Sequence, residues 1–160
     1  MAKTVLTTDG VIGAYVAQDR PHAHEREWRI FFEGQTLYSY RRNYPIATYE
    51  PVVGRWLLLP KDRGVSLTTR RQITALYWQL LQAGEWERMI WTVGDMTYRA
   101  AIEHSASMAE EMERSANRRR SPARQREDRR AVDKWDRNAE RARAALDGYE
   151  SRLGGSPQSL

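Results

Sequence analysis

The stretch VDKWDRNAERARAALDGYESRL, residues 132–153, places apolar side chains alternately three and four positions apart. The positions concerned are Val132, Trp135, Ala139, Ala142, Leu146, Tyr149 and Leu153. A repeat of about 3.5 residues keeps one stripe of a helix turned toward a partner helix, which is typical of a coiled-coil seam. The sequence therefore predicts a long C-terminal helix packed along a second helix.

The segment before this stretch supplies a partner helix. Asp95 is a predicted N-cap, and a similar rhythm follows at Tyr98, Ile102, Ser105, Ala109, Met112 and Ala116. Ser121 and Pro122 suit the N-cap and first turn of the next helix. We predict an antiparallel coiled-coil hairpin over residues 95–153 and a flexible tail over residues 154–160. The small alanines favour packing within one chain, so a monomer is expected, with a homodimer as the alternative.

The connection between the two predicted helices, which we call the elbow, is strongly basic. Residues 114–130 contain eight arginines against Glu127 and Asp128, whereas the whole chain has a net charge of +5. Guanidinium groups bind phosphates bidentately and release condensed counterions, so DNA or RNA is the leading expected partner. The candidate phosphate contacts are Arg118, Arg119, Arg120, Arg124, Arg126, Arg129 and Arg130. Two alternatives remain open: a merely solvated elbow, and a protein-interaction module that inhibits or redirects a host protein complex.

The N-terminal part of the chain, residues 1–94, is predicted to form an α+β domain. Short aromatic and β-branched segments separated by turns predict an antiparallel β-meander. Its expected strands cover residues 4–8, 28–33, 37–42, 44–49 and 55–59, with a turn at Asp9-Gly10 and a polar loop over residues 17–26. One helix follows, with a predicted capping box at Thr69 and Gln72. Residues 85–94 fit either a last strand or the start of the next helix, and we favour the strand.

A second candidate surface lies on the meander. Tyr38, Tyr40, Arg42 and Tyr44, joined by Trp28, place aromatic rings and guanidinium groups on neighbouring strands. Such residues stack on nucleobases or form protein-binding hot spots, although packing into the core is the simpler interpretation.

Catalytic and metal motifs are weak in this sequence. His22 and His24 form a His-x-His pair near Glu25 and Glu27, but no second spaced ligand pair follows, so we expect no metal site. No phosphate-binding loop, nucleophile elbow or convincing carboxylate pair is present, so we expect neither enzymatic activity nor a cofactor.

Composition excludes further classes of protein. The chain contains no cysteine, which rules out disulfides and thiolate metal sites within it. The start MAKTVLTTDG lacks the apolar stretch of a signal peptide, and no window reaches the ~18 to 20 apolar residues that cross a bilayer. We therefore expect a cytoplasmic protein, in a host cell, without membrane association.

Two short sequence motifs in this chain are similar to motifs of other proteins. LYSYRRNYPIA, residues 37–47, and VSLTTRRQ, residues 65–72, resemble a family of small uncharacterised domains that are mostly encoded by bacteriophages. The resemblance covers roughly residues 28–82, and Arg41-Arg42-Asn43 stands where that pattern has a tighter turn. It implies a phage origin and an accessory role, and it assigns no catalytic or ligand residue.

Overall fold

A computed structural model describes residues 5–40, 42, 44–59, 65–93 and 96–153. The chain combines α-helices with a mixed β-sheet and divides into two compact units, Met1–Met89 and Ile90–Leu160. The expected N-cap Asp95 and the expected tail over residues 154–160 lie outside the described residues.

The first unit contains six strands and two α-helices in its described part. In chain order they are β1 (Val5–Leu6), α1 (Thr8–Ala17), β2 (His22–Glu25), β3 (Ile30–Glu33), β4 (Thr36–Ser39), β5 (Pro45–Glu50), β6 (Arg55–Leu58) and α2 (Leu67–Gln82). A 3₁₀ turn, Trp86–Arg88, and strand β7, Met89–Trp91, follow. The strand favoured for residues 85–94 is therefore present, although it is shorter than that segment.

The sheet follows the chain order from β1 to β7 but is not purely antiparallel. Strands β2 to β6 pair antiparallel, and the predicted meander included β3 to β6 of these, whereas β1 pairs parallel to β2. Helix α1 accounts for this difference. It connects β1 to β2 and carries the chain back to the end at which β1 began, so the two strands run in the same direction. The prediction of an antiparallel meander with one packed helix was therefore wrong in two respects. The sheet is mixed, and two helices, α1 and α2, pack on it.

Helix α1 begins where the sequence indicated the end of a strand, residues 4–8, and a turn at Asp9-Gly10. Thr7 is its N-cap, and the Thr7 side chain accepts a hydrogen bond of 3.1 Å from the Gly10 amide. Val11, Ile12 and Tyr15 are completely buried, so tertiary packing outweighs the turn tendency of Asp9-Gly10. The expected polar loop over residues 17–26 likewise contains β2, because that segment pairs with β3.

One face of the sheet forms the core beneath α1 and α2. A register row across five strands consists entirely of buried residues: Ala23, Phe32, Leu37, Ala47 and Leu58. Tyr15 of α1 lies 5.5 Å from the Phe32 ring, between centroids, and Ser39 of β4 bonds to Thr69 of α2. Both helices therefore cover the same face.

The start of α2 differs from the predicted capping box. Ser66 is the N-cap, and its Oγ accepts a hydrogen bond of 3.1 Å from the Thr69 amide. Thr69 and Gln72 are instead buried, where both bond to Ser39 Oγ, and Gln72 Nε2 donates to the Arg29 carbonyl oxygen. Thr69 and Gln72, which the sequence predicted to cap the helix, therefore hold α2 against the sheet through Ser39.

The second unit consists mainly of two long helices, α3 (Tyr98–Arg118) and α4 (Pro122–Arg152). Thr97 caps α3, while Ser121 and Pro122 take the N-cap and N1 positions of α4 as predicted. No helix within the described ranges combines the length and apolar character needed to span a lipid bilayer.

Helices α3 and α4 pack antiparallel. Ser115 near the end of α3 bonds to Asp128 near the start of α4, whereas Tyr98 at the other end contacts Tyr149. Five residues of α4 are buried: Trp135, Asn138, Ala139, Ala142 and Ala145. The buried face thus departs from the predicted seam, since Leu153 is 61% exposed and Asn138 lies outside that seam.

Asn138 is buried because hydrogen bonds from two elements satisfy its carboxamide. Its Oδ1 accepts from the Trp91 amide, and its Nδ2 donates to the Trp91 carbonyl oxygen and to Ser105 Oγ, all at 2.8 Å. This side chain therefore links β7, α3 and α4.

Replacing Asn138 by Ala should lower the free energy of unfolding by about 2–4 kcal/mol, because it removes two buried hydrogen bonds to the Trp91 backbone and one to Ser105 Oγ. Urea denaturation followed by far-UV circular dichroism measures this loss. Asn117→Ala, at an exposed position of α3, is the matched control, with an expected change within about 0.5 kcal/mol. Equal stability of the two variants would contradict the role given to Asn138.

Candidate nucleic-acid interface and aromatic cavity

The seven candidate arginines surround the connection between α3 and α4, and all seven are exposed. We call this set the arginine tip: Arg118, Arg119, Arg120, Arg124, Arg126, Arg129 and Arg130. Among the described residues, Arg119 is the only member that forms an ion pair within 4.0 Å, and its partner is Asp128. The other guanidinium groups are therefore available for an external anion.

The arginine tip presents two surfaces. Successive residues of a helix are rotated by about 100°, so Arg126, Arg129 and Arg130 share the side of α4 opposite buried Trp135 and Ala142. Arg124 lies on the side that faces α3, and it acts electrostatically on Asp128. Arg118, Arg119 and Arg120 belong to the end of α3 and the connection.

The Asp128 carboxylate links the start of α4 to the end of α3 and to the connection between them. Its Oδ2 accepts hydrogen bonds from Ser115 Oγ at 2.8 Å and from Arg119 Nε at 3.2 Å. The Ser115 hydrogen bond, followed by Arg119, holds the pKa of the Asp128 carboxyl below its usual value. One of the two carboxylates in this basic segment thus joins α3 to α4 and pairs with Arg119.

Charge is unevenly distributed along the helix pair. Residues 114–130 carry eight arginines and two carboxylates, whereas residues 96–113 carry one arginine and four glutamates. Residues 131–153 balance five basic side chains with five acidic ones. The positive potential is therefore concentrated at one end of the two helices.

The second predicted surface is divided by the end of β4. Tyr38 is half-buried in that strand and stacks on Phe31, with 5.1 Å between ring centroids. Tyr40 follows the strand with a positive φ of 62°, while Arg42 pairs with Glu33 at 2.6 Å. Tyr40 and Tyr44 are 47% and 37% exposed, so these two keep rings accessible to a partner. The predicted strand over residues 37–42 ends at Ser39, because Tyr40 leaves the extended conformation.

Trp28 forms an aromatic stack that the sequence did not reveal. Its ring lies 3.8 Å from that of His24, between centroids, with an angle of 7° between the ring planes. It also meets Phe31 edge-on at 5.5 Å, yet it remains 48% exposed. The register aligns His24, Phe31 and Tyr38 across three strands, on the face opposite the helices.

The backbone of Trp28 is strained. Its φ is +55°, the same value as that of Gly34 in the next hairpin turn. A side chain in this left-handed region costs about 1–3 kcal/mol, which glycine avoids. Strain of this kind at an exposed ring is a reason to seek a function for Trp28.

A cavity of about 420 Å³ opens beside this stack. We call it the aromatic cavity, and its lining residues are Pro21, His22, Ala23, His24, Trp28, Phe32 and Glu33. His22 and Glu33 are direct partners in the β2–β3 register, so an imidazole and a carboxylate flank the aromatic wall. Behind it, Glu25 bonds to Arg29 and Thr8; burial acts to raise the pKa of Glu25, but these hydrogen bonds outweigh it and the pKa is lowered.

Metal binding finds no geometric support in the described part of the chain. No three histidine or carboxylate side chains there are placed to hold an ion, although His22 and His24 share one strand face.

Sequence reasoning found the arginine tip but missed two features. Ser115 and Asp128 are 13 positions apart in the sequence, and their hydrogen bond forms only when the two helices pair. No local sequence motif therefore indicates it. The Trp28–His24 stack depends on the positive φ of Trp28, for which an Asn or Gly at that position would have been the usual signal.

A comparison with known protein families, with curated proteins and with solved structures finds no match for this chain. The site is therefore interpreted from its own geometry and charge.

Asp128→Asn should lower the thermal unfolding midpoint at pH 7, because the amide cannot hold the Arg119 guanidinium as a carboxylate does. The pKa of Asp128 is depressed in the folded state, so its contribution is complete above its ordinary value of about 3.9 and is lost as pH falls through the folded value. The difference from wild type should therefore close in acid.

Asp136→Asn, on an exposed position of the same helix, removes the same charge and is the control. A difference for Asp128→Asn that persists unchanged at pH 2.5 would contradict this account of Asp128.

Proposed function

We propose that this protein binds nucleic acid through the arginine tip, by contacts to the phosphate backbone. The observation that carries the proposal is the concentration of eight arginines against two carboxylates at one end of the α3–α4 pair. Contacts of guanidinium groups to phosphate carry no base information, so the expected binding tolerates sequence and depends strongly on salt.

Pairing of the helices supports this role by holding the tip together. In this proposal α3 and α4 act as a coiled-coil arm, in which small side chains such as Ala109 and Ala142 allow close approach. The Ser115–Asp128–Arg119 contacts then fix the connection, which reduces the ordering cost that flexible arginines would pay on binding.

The first turn of α4 adds donors at the same place. Pro122, at its first position, has no amide N–H, so the donors are the amides that follow it, and Ser121 makes no side-chain hydrogen bond to these. Amide groups at a helix N-terminus favour an anion, so a phosphate there meets both backbone donors and guanidinium groups.

The biological setting is a further proposal. The resemblance over residues 28–82 supports a phage-encoded accessory protein, and the lack of a catalytic motif in the sequence favours a binding role over an enzymatic one. The alternative function is binding to a host protein complex, and the exposed rings of Trp28, Tyr40 and Tyr44 favour it as a second candidate.

Titration of labelled double-stranded and single-stranded DNA and RNA by fluorescence anisotropy, across a salt series, tests the arginine tip. Replacing Arg118, Arg119 and Arg120 by Ala should weaken binding to all sequences alike. Each lost phosphate contact should also reduce the slope of log K against log salt by about 1.

The matched control removes three charges outside the tip, with Arg99, Arg137 and Arg143 replaced by Ala. All three are exposed in the same unit. Equal losses in the two triple variants would mean that net charge alone drives binding. Absence of binding at low salt would reject the proposal and favour the protein partner, whose buried apolar contacts resist salt.

A further inference from the structure

We propose that the aromatic cavity binds a guanine base, supplied either as a free nucleoside or by an unpaired nucleotide of a single strand. This site lies wholly within residues 21–33 and makes no use of the arginine tip, so it goes beyond the function proposed above and does not rest on it.

The Trp28–His24 stack favours a planar ligand. Two rings lie parallel within 3.8 Å, and Trp28 keeps about half of its surface, 48%, exposed to solvent. His24 occupies one side of the indole, so a second planar ring extends the stack on the open side. Aromatic side chains bind nucleobases in this way irrespective of sequence, because every base has a π-face. The cavity volume of about 420 Å³ falls within the roughly 300–1,000 Å³ of small-molecule sites.

The rim of the cavity selects among bases. The Glu33 carboxylate only accepts hydrogen bonds, so it requires N–H donors on the ligand. Guanine carries two adjacent donors, N1–H and N2–H, on one edge, whereas adenine presents a ring acceptor beside its amino group. His22, opposite Glu33 in the register, has one ring N–H donor in either neutral tautomer and suits the guanine acceptors O6 and N7.

Charge at the rim argues against a cationic ligand. Arg42 Nη2 donates to Glu33 Oε1 at 2.6 Å, which neutralises the carboxylate while leaving it further lone pairs. Arg29 is shared between Glu25 and Glu27, at 3.0 and 3.3 Å, and neither of these carboxylates lines the cavity. Since the lining carboxylate, Glu33, already has a cationic partner, an uncharged heterocycle fits the cavity better than an ammonium group.

The left-handed backbone of Trp28 allows a sharp test. At a φ of +55°, Trp28→Gly removes the ring and relieves strain in the same step. Relief of strain opposes the loss of the ring contacts with His24 and Phe31, so the variant should melt near the temperature of the wild type while losing the ligand. A melting temperature close to that of the wild type then shows that the loss of binding does not come from misfolding.

The experiment titrates the full ¹⁵N-labelled chain with guanosine and, separately, adenosine, which carry no phosphate for the arginine tip. Six tryptophans give six indole N–H resonances, and Trp28→Gly identifies that of Trp28. Guanosine should shift this resonance but not that of Trp78, a ring 58% exposed on α2.

Trp28→Gly should weaken guanosine binding by roughly 5- to 150-fold, the range expected for one base–aromatic stack. Trp78→Ala, the matched control, should leave it unchanged. Glu33→Gln should abolish the preference for guanosine over adenosine, because the amide group no longer offers two acceptor oxygens.

The tetranucleotides UUGU and UUAU, tested with the Arg118, Arg119 and Arg120 triple-alanine variant, separate the two sources of the base. Tighter binding of UUGU than of guanosine assigns the site to single strands, and weaker binding assigns it to the nucleoside. Equal affinity for guanosine and adenosine, or guanosine binding that survives Trp28→Gly, overturns the proposal. Neither result bears on salt-dependent binding of duplexes, so failure here is distinct from failure of the arginine tip.

Discussion

In the second unit, the side chain of Asn138 makes three hydrogen bonds of 2.8 Å, two to the backbone of Trp91 and one to Ser105 Oγ. A strand edge leaves amide and carbonyl groups in need of partners, and burying them unpaired would be costly. Asn138 supplies a donor and an acceptor together, as a neighbouring strand would. It thereby sets which side of α4 is buried, and consequently which arginines of α4 face outward.

This constraint explains why α4 does not follow a pure apolar seam. A polar residue on the packed face specifies one alignment of the helices, since any shift would break the hydrogen bonds of the carboxamide to the Trp91 backbone and to Ser105. The alanines around it contribute close packing without dictating register. The arginine tip is then placed by Asn138, near the middle of α4, and by the Asp128 contacts with Ser115 and Arg119 close to the tip itself.

The two candidate sites use different chemistry. The arginine tip is exposed, strongly charged and built from side chains that mostly lack partners in the described part of the chain, which suits a diffuse polyanion. The aromatic cavity is partly enclosed, and its lining carboxylate, Glu33, is already paired with Arg42. Such a site favours shape and hydrogen bonding over net charge. The strain at Trp28 lies in this second site, where a ring is held in a position that glycine would take more easily.

Local patterns in the sequence indicated the helices α3 and α4, the start of α4 at Ser121-Pro122 and the antiparallel strands from β3 to β6. Each follows from spacing or capping within a few residues, so each can be read without knowing the fold. Tertiary structure alone decided that residues 8–17 form a helix and that β1 pairs parallel to β2. It also decided that Thr69 and Gln72 bond to Ser39, that Asn138 is buried, and that Trp28 stacks on His24. These features depend on partners distant in sequence or on a left-handed backbone that hairpin closure imposes, and neither leaves a local signal.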